Sequence, residues 1–207
     1  MNRLSDLNIS NQNLVIRVDM NVPIEDGVVT DSTRILACMP TIKFALKNNA
    51  KVLLVTHLGR PIEGTFDKKF SLKPVANEVT KILDREVDLI DDLDSAKIFN
   101  GSSDIQILEN IRFFEGEKSN CNKLGKSLSS LGDIYVFDAF GTSHREQSST
   151  HSAIVNSNLS CAGLLLEKEI DSLTKALNES QNPYTAIIGG AKVSTKLELI
   201  KNINSKA

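Results

Sequence analysis

Four short polar clusters carry residue types that could together hold a small, multiply charged anion. They are Asp19-Met20-Asn21, His57-Leu58-Gly59-Arg60, Glu109-Asn110-Ile111-Arg112, and Asp138 through His144-Arg145. A guanidinium group binds carboxylate or phosphate oxygens through two parallel N–H donors, while histidine and asparagine add single directed hydrogen bonds. Arg34, close to the expected start of a helix, supplies a further cation. Gathered on one edge, Arg34, His57, Arg60, Arg112 and Arg145 would form a cradle for a phosphorylated acid. Taken singly, each cluster also has a plainer use, since Asp19 and Asn21 can shape the turn before Pro23 and His57 to Arg60 can form an exposed loop. His144, beside Gly141 and Thr142, suits a hydrogen-bonded turn better than general-base chemistry.

The elements that must gather these clusters are legible as alternating periodicities. Short β-branched runs at Leu14–Val18, Lys51–Val55, Val87–Ile90, Ile105–Leu108 and Ile134–Phe137 alternate with amphipathic stretches at Asp31–Lys47, Ser71–Leu83 and Ser119–Leu131. This is βαβα order, and apolar runs without alternation, such as Val52-Leu53-Leu54-Val55, suit strands buried on both faces. The expected fold is α/β, a doubly wound parallel sheet in a Rossmann-like three-layer α/β/α arrangement. In such a sheet ligands bind beyond the carboxyl ends of the strands, which is where all four clusters fall. Asp31, Ser32 and Thr33 are candidate caps for the first helix, within which Pro40 predicts a kink.

A further long amphipathic segment, Ala162–Leu177, runs into a polar stretch that ends at Pro183. Beyond it the pattern predicts a strand over Tyr184–Ile188, then Gly189-Gly190-Ala191-Lys192, then a helix opening at Ser194 or Thr195. Glycines between a strand and a helix let backbone N–H groups approach a phosphate, and Lys192 and Lys196 would add point charges. Neither G-x-x-x-x-G-K-[ST] nor any G-x-G occurs, so this is not a Walker loop, a dinucleotide fingerprint or a protein-kinase glycine loop.

With these residues in view, the sequence resembles the phosphoglycerate kinase family. Arg17-Val18-Asp19-Met20-Asn21-Val22-Pro23 is similar to its R-V-D-F-N-V-P, His57-Leu58-Gly59-Arg60-Pro61 to H-L-G-R-P, and Leu108-Glu109-Asn110-Ile111-Arg112-Phe113 to L-E-N-x-R-F. Asp138 through Arg145 resembles D-A-F-G-x-x-H-R, and Gly189 through Lys196 resembles G-G-x-K-V-x-x-K. Met20 stands where the family has Phe, a swap of large apolar residues that should leave Asp19 and Asn21 in place. Thr195 stands where many members carry Asp.

The resemblance implies a phosphoglycerate-binding domain over 1–165, an interdomain helix and linker over 166–182, and over 183–207 the first strand and helix of an incomplete nucleotide-binding domain. It implies 3-phosphoglycerate or 1,3-bisphosphoglycerate held by Asp19, Asn21, Arg34, His57, Arg60, Arg112 and Arg145, with Gly190, Lys192 and Lys196 on the nucleotide side. Arg34 and Lys192 would be catalytic, stabilising the phosphoryl group in flight, and no nucleophilic side chain is required. The intact enzyme would use ATP or ADP with Mg2+ in the glycolytic transfer between 1,3-bisphosphoglycerate and ADP. Members are about twice as long, so this chain by itself is expected to bind 3-phosphoglycerate without binding nucleotide tightly or turning over. The alternative is a noncatalytic phosphometabolite-binding module using the same cradle.

Composition narrows the remaining classes. Over 207 residues, 24 Lys+Arg against 26 Asp+Glu gives a net charge of -2, which offers no global field for nucleic acid or anionic lipid. No apolar run approaches the roughly 18 residues of a membrane span. The start lacks the apolar stretch of a secretory signal, and three unpatterned cysteines point to a reducing cytoplasm. A monomer without a resident metal is expected.

Overall fold

The computed structural model describes residues 1–96 and 103–178, together with the isolated positions 185, 187 and 201. The chain divides into two compact units, Met1–Glu167 and Lys168–Ala207. In the first unit the chain runs through β1 (Asn13–Val18), β2 (Ile24–Glu25), β3 (Val28–Val29), α1 (Thr33–Lys47) and β4 (Lys51–Val55). It continues through α2 (Lys73–Leu83), β5 (Asp88–Ile90), α3 (Leu93–Ala96), β6 (Ile105–Leu108), α4 (Asn122–Ser129) and β7 (Ile134–Asp138). After α5 (Ala153–Asn156) and β8 (Ser160–Ala162), helix α6 (Leu164–Asn178) begins in this unit and ends in the second. The loop with Gly190, Lys192 and Lys196 lies outside the described residues, as do the strand predicted over Tyr184–Ile188 and the helix after the loop, apart from those isolated positions.

Six strands form one parallel sheet in the order β5-β6-β4-β1-β7-β8, and β2 and β3 make a separate antiparallel ribbon. Side chains alternate across the sheet, so each strand feeds two cores. On one face Leu14, Ile16, Val52, Leu54, Ile105, Ile107 and Val136 pack against Ile35, Met39 and Ile42 of α1 and Val75 and Val79 of α2. On the other, Val15, Leu53, Val55, Leu108 and Tyr135 meet Leu124 and Leu128 of α4 and Ala153 of α5. The doubly wound three-layer expectation therefore holds. Starting from the central β1, the chain winds outward through β4 on one side and later through β7 and β8 on the other. The loops that leave β1 and β7 diverge to opposite faces, which opens a crevice at the carboxyl ends of these neighbours.

Local chemistry sets the element ends. At the start of α1 the N-cap Ser32 makes no side-chain cap, and Asp31 Oδ1 instead accepts from the Thr33 N–H at 2.8 Å. Helix α1 runs unbroken through Pro40. The short edge strand β8 and the β2–β3 ribbon carry too few residues for a period to show in sequence. Cys38, Cys121 and Cys161 are all unpaired. Among the described residues no helix is long and apolar enough to cross a membrane.

One close approach depends on a missing side chain. A Cβ on Gly125 of α4 would lie 2.4 Å from Ser152 Cβ, 2.7 Å from the Ser152 carbonyl carbon and 3.0 Å from Ala153 N. Two of those atoms are backbone and cannot rotate away. Gly125→Ala should therefore destabilise the fold by about 1–3 kcal/mol despite its better helix propensity, seen as a lower midpoint in urea unfolding.

Candidate functional site

The carboxyl edge of the sheet is assembled from turns locked to one another by backbone-directed side chains. After β1, Asp19 Oδ1 accepts from the Asn21 N–H at 3.3 Å, and the buried Met20 gives its N–H to Thr56 Oγ1 at 2.9 Å. Asn21 Oδ1 in turn accepts from the Gly59 N–H at 2.9 Å, tying the β1 turn to the β4 turn. Gly59 has φ +59°, and a Cβ there would sit 2.4 Å from the Phe70 ring, so any larger residue would be strained and would have to displace that ring.

Asn110, fully buried after β6, is the central strut. Its amide nitrogen donates to the carbonyls of Leu58 and Phe70 at 2.8 and 2.9 Å, and its oxygen accepts from the N–H groups of Leu58 and Arg112 at 3.2 and 3.1 Å. Glu109 is equally internal: Oε1 accepts from the Leu72 and Asn110 N–H groups, and Oε2 from Ser71 Oγ, each at 2.7 Å. Both residues of the L-E-N segment thus spend their polar groups on loop geometry, and Arg112 is the part they present. After β7, the buried Asp138 accepts from Thr41 Oγ1 at 2.6 Å and from the Leu166 N–H at 2.9 Å. Burial raises the carboxyl of Asp138 above the ordinary range, so it serves packing rather than the cradle.

The predicted cations do converge. Burial lowers the Arg112 guanidinium pKa first, and Arg145, Arg17 and Arg60 lower it further by repulsion, against a partial opposing pull from Glu117. Arg112 is 8% exposed, gives Nη1 to the Gly59 carbonyl, and has a buried Nε with no partner. Among the described residues no carboxylate lies within ion-pair distance of Arg60, Arg112 or Arg145. His57 is 3% exposed, and burial, followed by Arg17, Arg112, Arg145 and Arg34, pushes its pKa down to about 2. It is a neutral imidazole, not a cation.

Arg34 differs from the others. Its Nη1 pairs with Asp19 Oδ2 at 2.7 Å while the side chain stays 55% exposed, so solvent screens the pair and it is weak in energy. Asp19 also faces Gly141, whose position would put a Cβ 3.6 Å from Asp19 Oδ2, across the β1–β7 crevice. Arg60 and His144 are exposed and Arg145 is half-buried. Lys192, Lys196 and Gly190 lie outside the described residues, and among those described no group of His, Cys, Asp or Glu could hold a metal ion. A cavity of about 630 Å³ lined by Phe66, Leu89, Phe113 and Phe114 lies beside this edge, but neither arginine nor histidine faces it. Its remaining lining includes Lys73, but also Asp91 and Glu109, and two carboxylates against one ammonium disfavour a multiply charged anion.

Three buried groups were not read as site residues, and only Arg17 among them lies in a recognised motif. Arg17, 1% exposed, sends Nε to Ser149 Oγ at 2.9 Å, and Glu117, 1% exposed, takes the Ser149 hydroxyl at 2.6 Å. For Arg17 the signals were its charge inside the apolar run Leu14–Val18 and its place at the head of the R-V-D segment. Nothing in the polar surroundings of Glu117 or Ser149 distinguishes them in sequence.

Fold and edge together define the class, a doubly wound α/β domain with arginine-bearing loops at the carboxyl edge of its sheet. The phosphoglycerate kinase family model matches residues 4–207, and the chain belongs to that family. Phosphoglycerate kinases of Desulfovibrio desulfuricans and Vibrio campbellii are 45% and 44% identical to it over 204 and 205 residues, each over 99% of this chain. The structure of phosphoglycerate kinase from Coxiella burnetii superposes with a TM-score of 0.91 at 42% identity, over 99% of this chain and 52% of that one. The crystal structure of phosphoglycerate kinase from Pyrococcus horikoshii gives 0.84 at 32% identity, over 99% and 53%. The chain spans about half the length of the curated relatives it matches, 52% and 53% of these two.

Proposed function

We propose that this chain is the phosphoglycerate-binding part of a phosphoglycerate kinase, holding 3-phosphoglycerate or 1,3-bisphosphoglycerate in the crevice between β1 and β7. The observation that carries this is that Arg112 and Arg145, with no carboxylate at ion-pair distance, gather beside a neutral His57, while Arg60 acts on Arg112 from the neighbouring turn. Positive charge only partly balanced by Glu117 at one partly desolvated edge costs folding energy, and a multiply charged anion offsets that cost on binding. Arg112 and Arg145 would clamp the phosphate, His57 and Asn21 would orient the ligand, and Asp19 would meet its hydroxyl end. Arg34 is loosely held by Asp19, so it can leave that pair to stabilise charge on a phosphoryl group in transfer. In the intact protein ATP or ADP with Mg2+ would supply or accept the phosphoryl group and neutralise its oxygens, with Gly190, Lys192 and Lys196 on that side. Residues 1–165 would form the substrate domain, 166–182 the connecting helix and linker, and 183–207 the opening of the nucleotide domain.

Calorimetric titration of the chain with 3-phosphoglycerate tests this directly. The expected result is saturable one-to-one binding that weakens as salt rises from low to moderate concentration. Binding indifferent to salt, or absent both here and in a version extended to the length of the relatives, would overturn it. The chain alone should show no phosphoryl transfer from 1,3-bisphosphoglycerate to ADP. A noncatalytic phosphometabolite-binding module stays in view because the chain spans only about half of its relatives, and turnover by the extended version decides against it.

A further inference from the structure

His57 Nδ1 lies 3.3 Å from Arg17 Nη2. A guanidinium carries only donors, so Nδ1 must be the acceptor and the single proton of a neutral ring must sit on Nε2. No hydrogen bond among the described residues uses Nε2. The tautomer is therefore decided by where Arg17 points. Four arginines surround this ring electrostatically, and a ring of the opposite tautomer would turn a lone pair, not a donor, toward a bound anion.

Arg17 is itself aimed by a chain of buried groups. Strand alternation places it beside Val15 on the face that packs against α4, at the carboxyl end of β1. Its Nη1 donates to the Val18 carbonyl and its Nε to Ser149 Oγ at 2.9 Å. The Ser149 hydroxyl, having accepted, donates onward to Glu117 Oε1 at 2.6 Å, while the Ser149 N–H donates to Glu117 Oε2 at 2.9 Å. Glu117 thus grips Ser149 with both oxygens. The Ser149 carbonyl is held in turn by the Tyr135 hydroxyl at 2.7 Å. Ser149 can meet three partners at once because Ser148–Ser152 forms a single π-helical turn, a local widening that re-aims one residue.

We propose that Glu117 and Ser149 are positioning residues which, acting through Arg17, lock His57 in the tautomer that presents an Nε2–H donor to the anion cradle. Glu117 also balances the Arg17 charge: after burial it is the strongest influence on Arg17, and it acts in the stabilising direction. Without it the buried guanidinium would keep only the weaker influence of Asp19 among carboxylates to offset its desolvation. The assignment of the anion as a phosphoglycerate rests on the function proposed above, but the tautomer does not.

The test uses the chain labelled with 15N at histidine and arginine. In the unsubstituted protein at neutral pH, long-range 1H–15N correlation should show His57 Nδ1 unprotonated and Nε2 protonated, with a slowly exchanging Arg17 Nε–H. Ser149→Ala removes the shared hydroxyl at little steric cost. It should leave the backbone amide spectrum in place, mix the two His57 tautomers, speed Arg17 Nε–H exchange at least tenfold and weaken 3-phosphoglycerate binding roughly tenfold. Glu117→Gln should move the same resonances; if it fails to fold, Ser149→Ala decides alone. A His57 ring protonated on Nδ1 in the parent chain, or resonances unchanged in a folded Ser149→Ala, would overturn the proposal. Failure of 3-phosphoglycerate to bind the parent chain, with the tautomer results as expected, would sink the ligand and keep the relay.

Discussion

Replacing Arg112 by alanine should weaken 3-phosphoglycerate binding by roughly a hundredfold. That corresponds to about 3 kcal/mol, the loss of two charge-assisted hydrogen bonds from a desolvated guanidinium. Three features make Arg112 the most costly cation to lose. It is 8% exposed, so its charge is little screened; its Nη1 is anchored on the Gly59 carbonyl, so the fork is oriented before a ligand arrives; and its buried Nε has no protein partner. Preorganised donors waste little entropy on binding. The exposed Arg60 has none of these features, and Arg60→Ala should cost only several-fold. Arg112→Lys keeps the charge but not the planar fork, and should recover only a small part of the loss. Exposed Arg85, beside the opening residues of β6 and so at the opposite end of the sheet, is the control. Calorimetry on folded variants reads all four, and equal losses at Arg112 and Arg85 would remove Arg112 from the site.

The second large effect is on stability, and its sign follows from the burial of His57. Its pKa is about 2 in the folded chain and about 6.5 when unfolded, so between these values only the unfolded state takes up the proton. Stability is therefore complete above about pH 6.5 and lost as the pH falls, at up to about 1.4 kcal/mol per unit. Urea unfolding at pH 7.5 and 5.0 should differ by about 2 kcal/mol, and His57→Gln, neutral at both, should remove most of that difference. Buried carboxyls cannot mimic the effect. Asp138 and Glu117 are raised by burial, so they bind protons more readily folded than unfolded and stabilise the fold as the pH drops. The exposed carboxyls lowered by hydrogen bonding, Asp31 and Asp92, titrate below this window. An identical pH dependence in His57→Gln would show that His57 is not held neutral.

Much of the architecture was readable along the chain because it is written in local periods. Runs such as Val52–Val55 are apolar without alternation since both faces of the sheet are covered, and helices α1, α2 and α4 follow from stripes at helical spacing. The cationic edge was readable for the same reason. Parallel strands all end on one side, so polar residues that follow successive strands must become neighbours. Glu109 and Asn110 were legible as members of a motif, but their inward, loop-holding use was not.

What the sequence determined by itself, then, is the layer order, the parallel sheet and the identity of the residues at its carboxyl edge, because these depend on spacing over a few residues. Tertiary structure alone decided which of those residues face a ligand and which are spent on one another. Arg34 turns to Asp19, Asp138 is consumed by Thr41 and the start of α6, and Arg17 is aimed by Ser149 from 132 positions away. No local pattern encodes such pairings. A buried polar group takes whatever partner the fold brings within reach, and the cost of leaving it unpaired is charged only once the chain has closed around it.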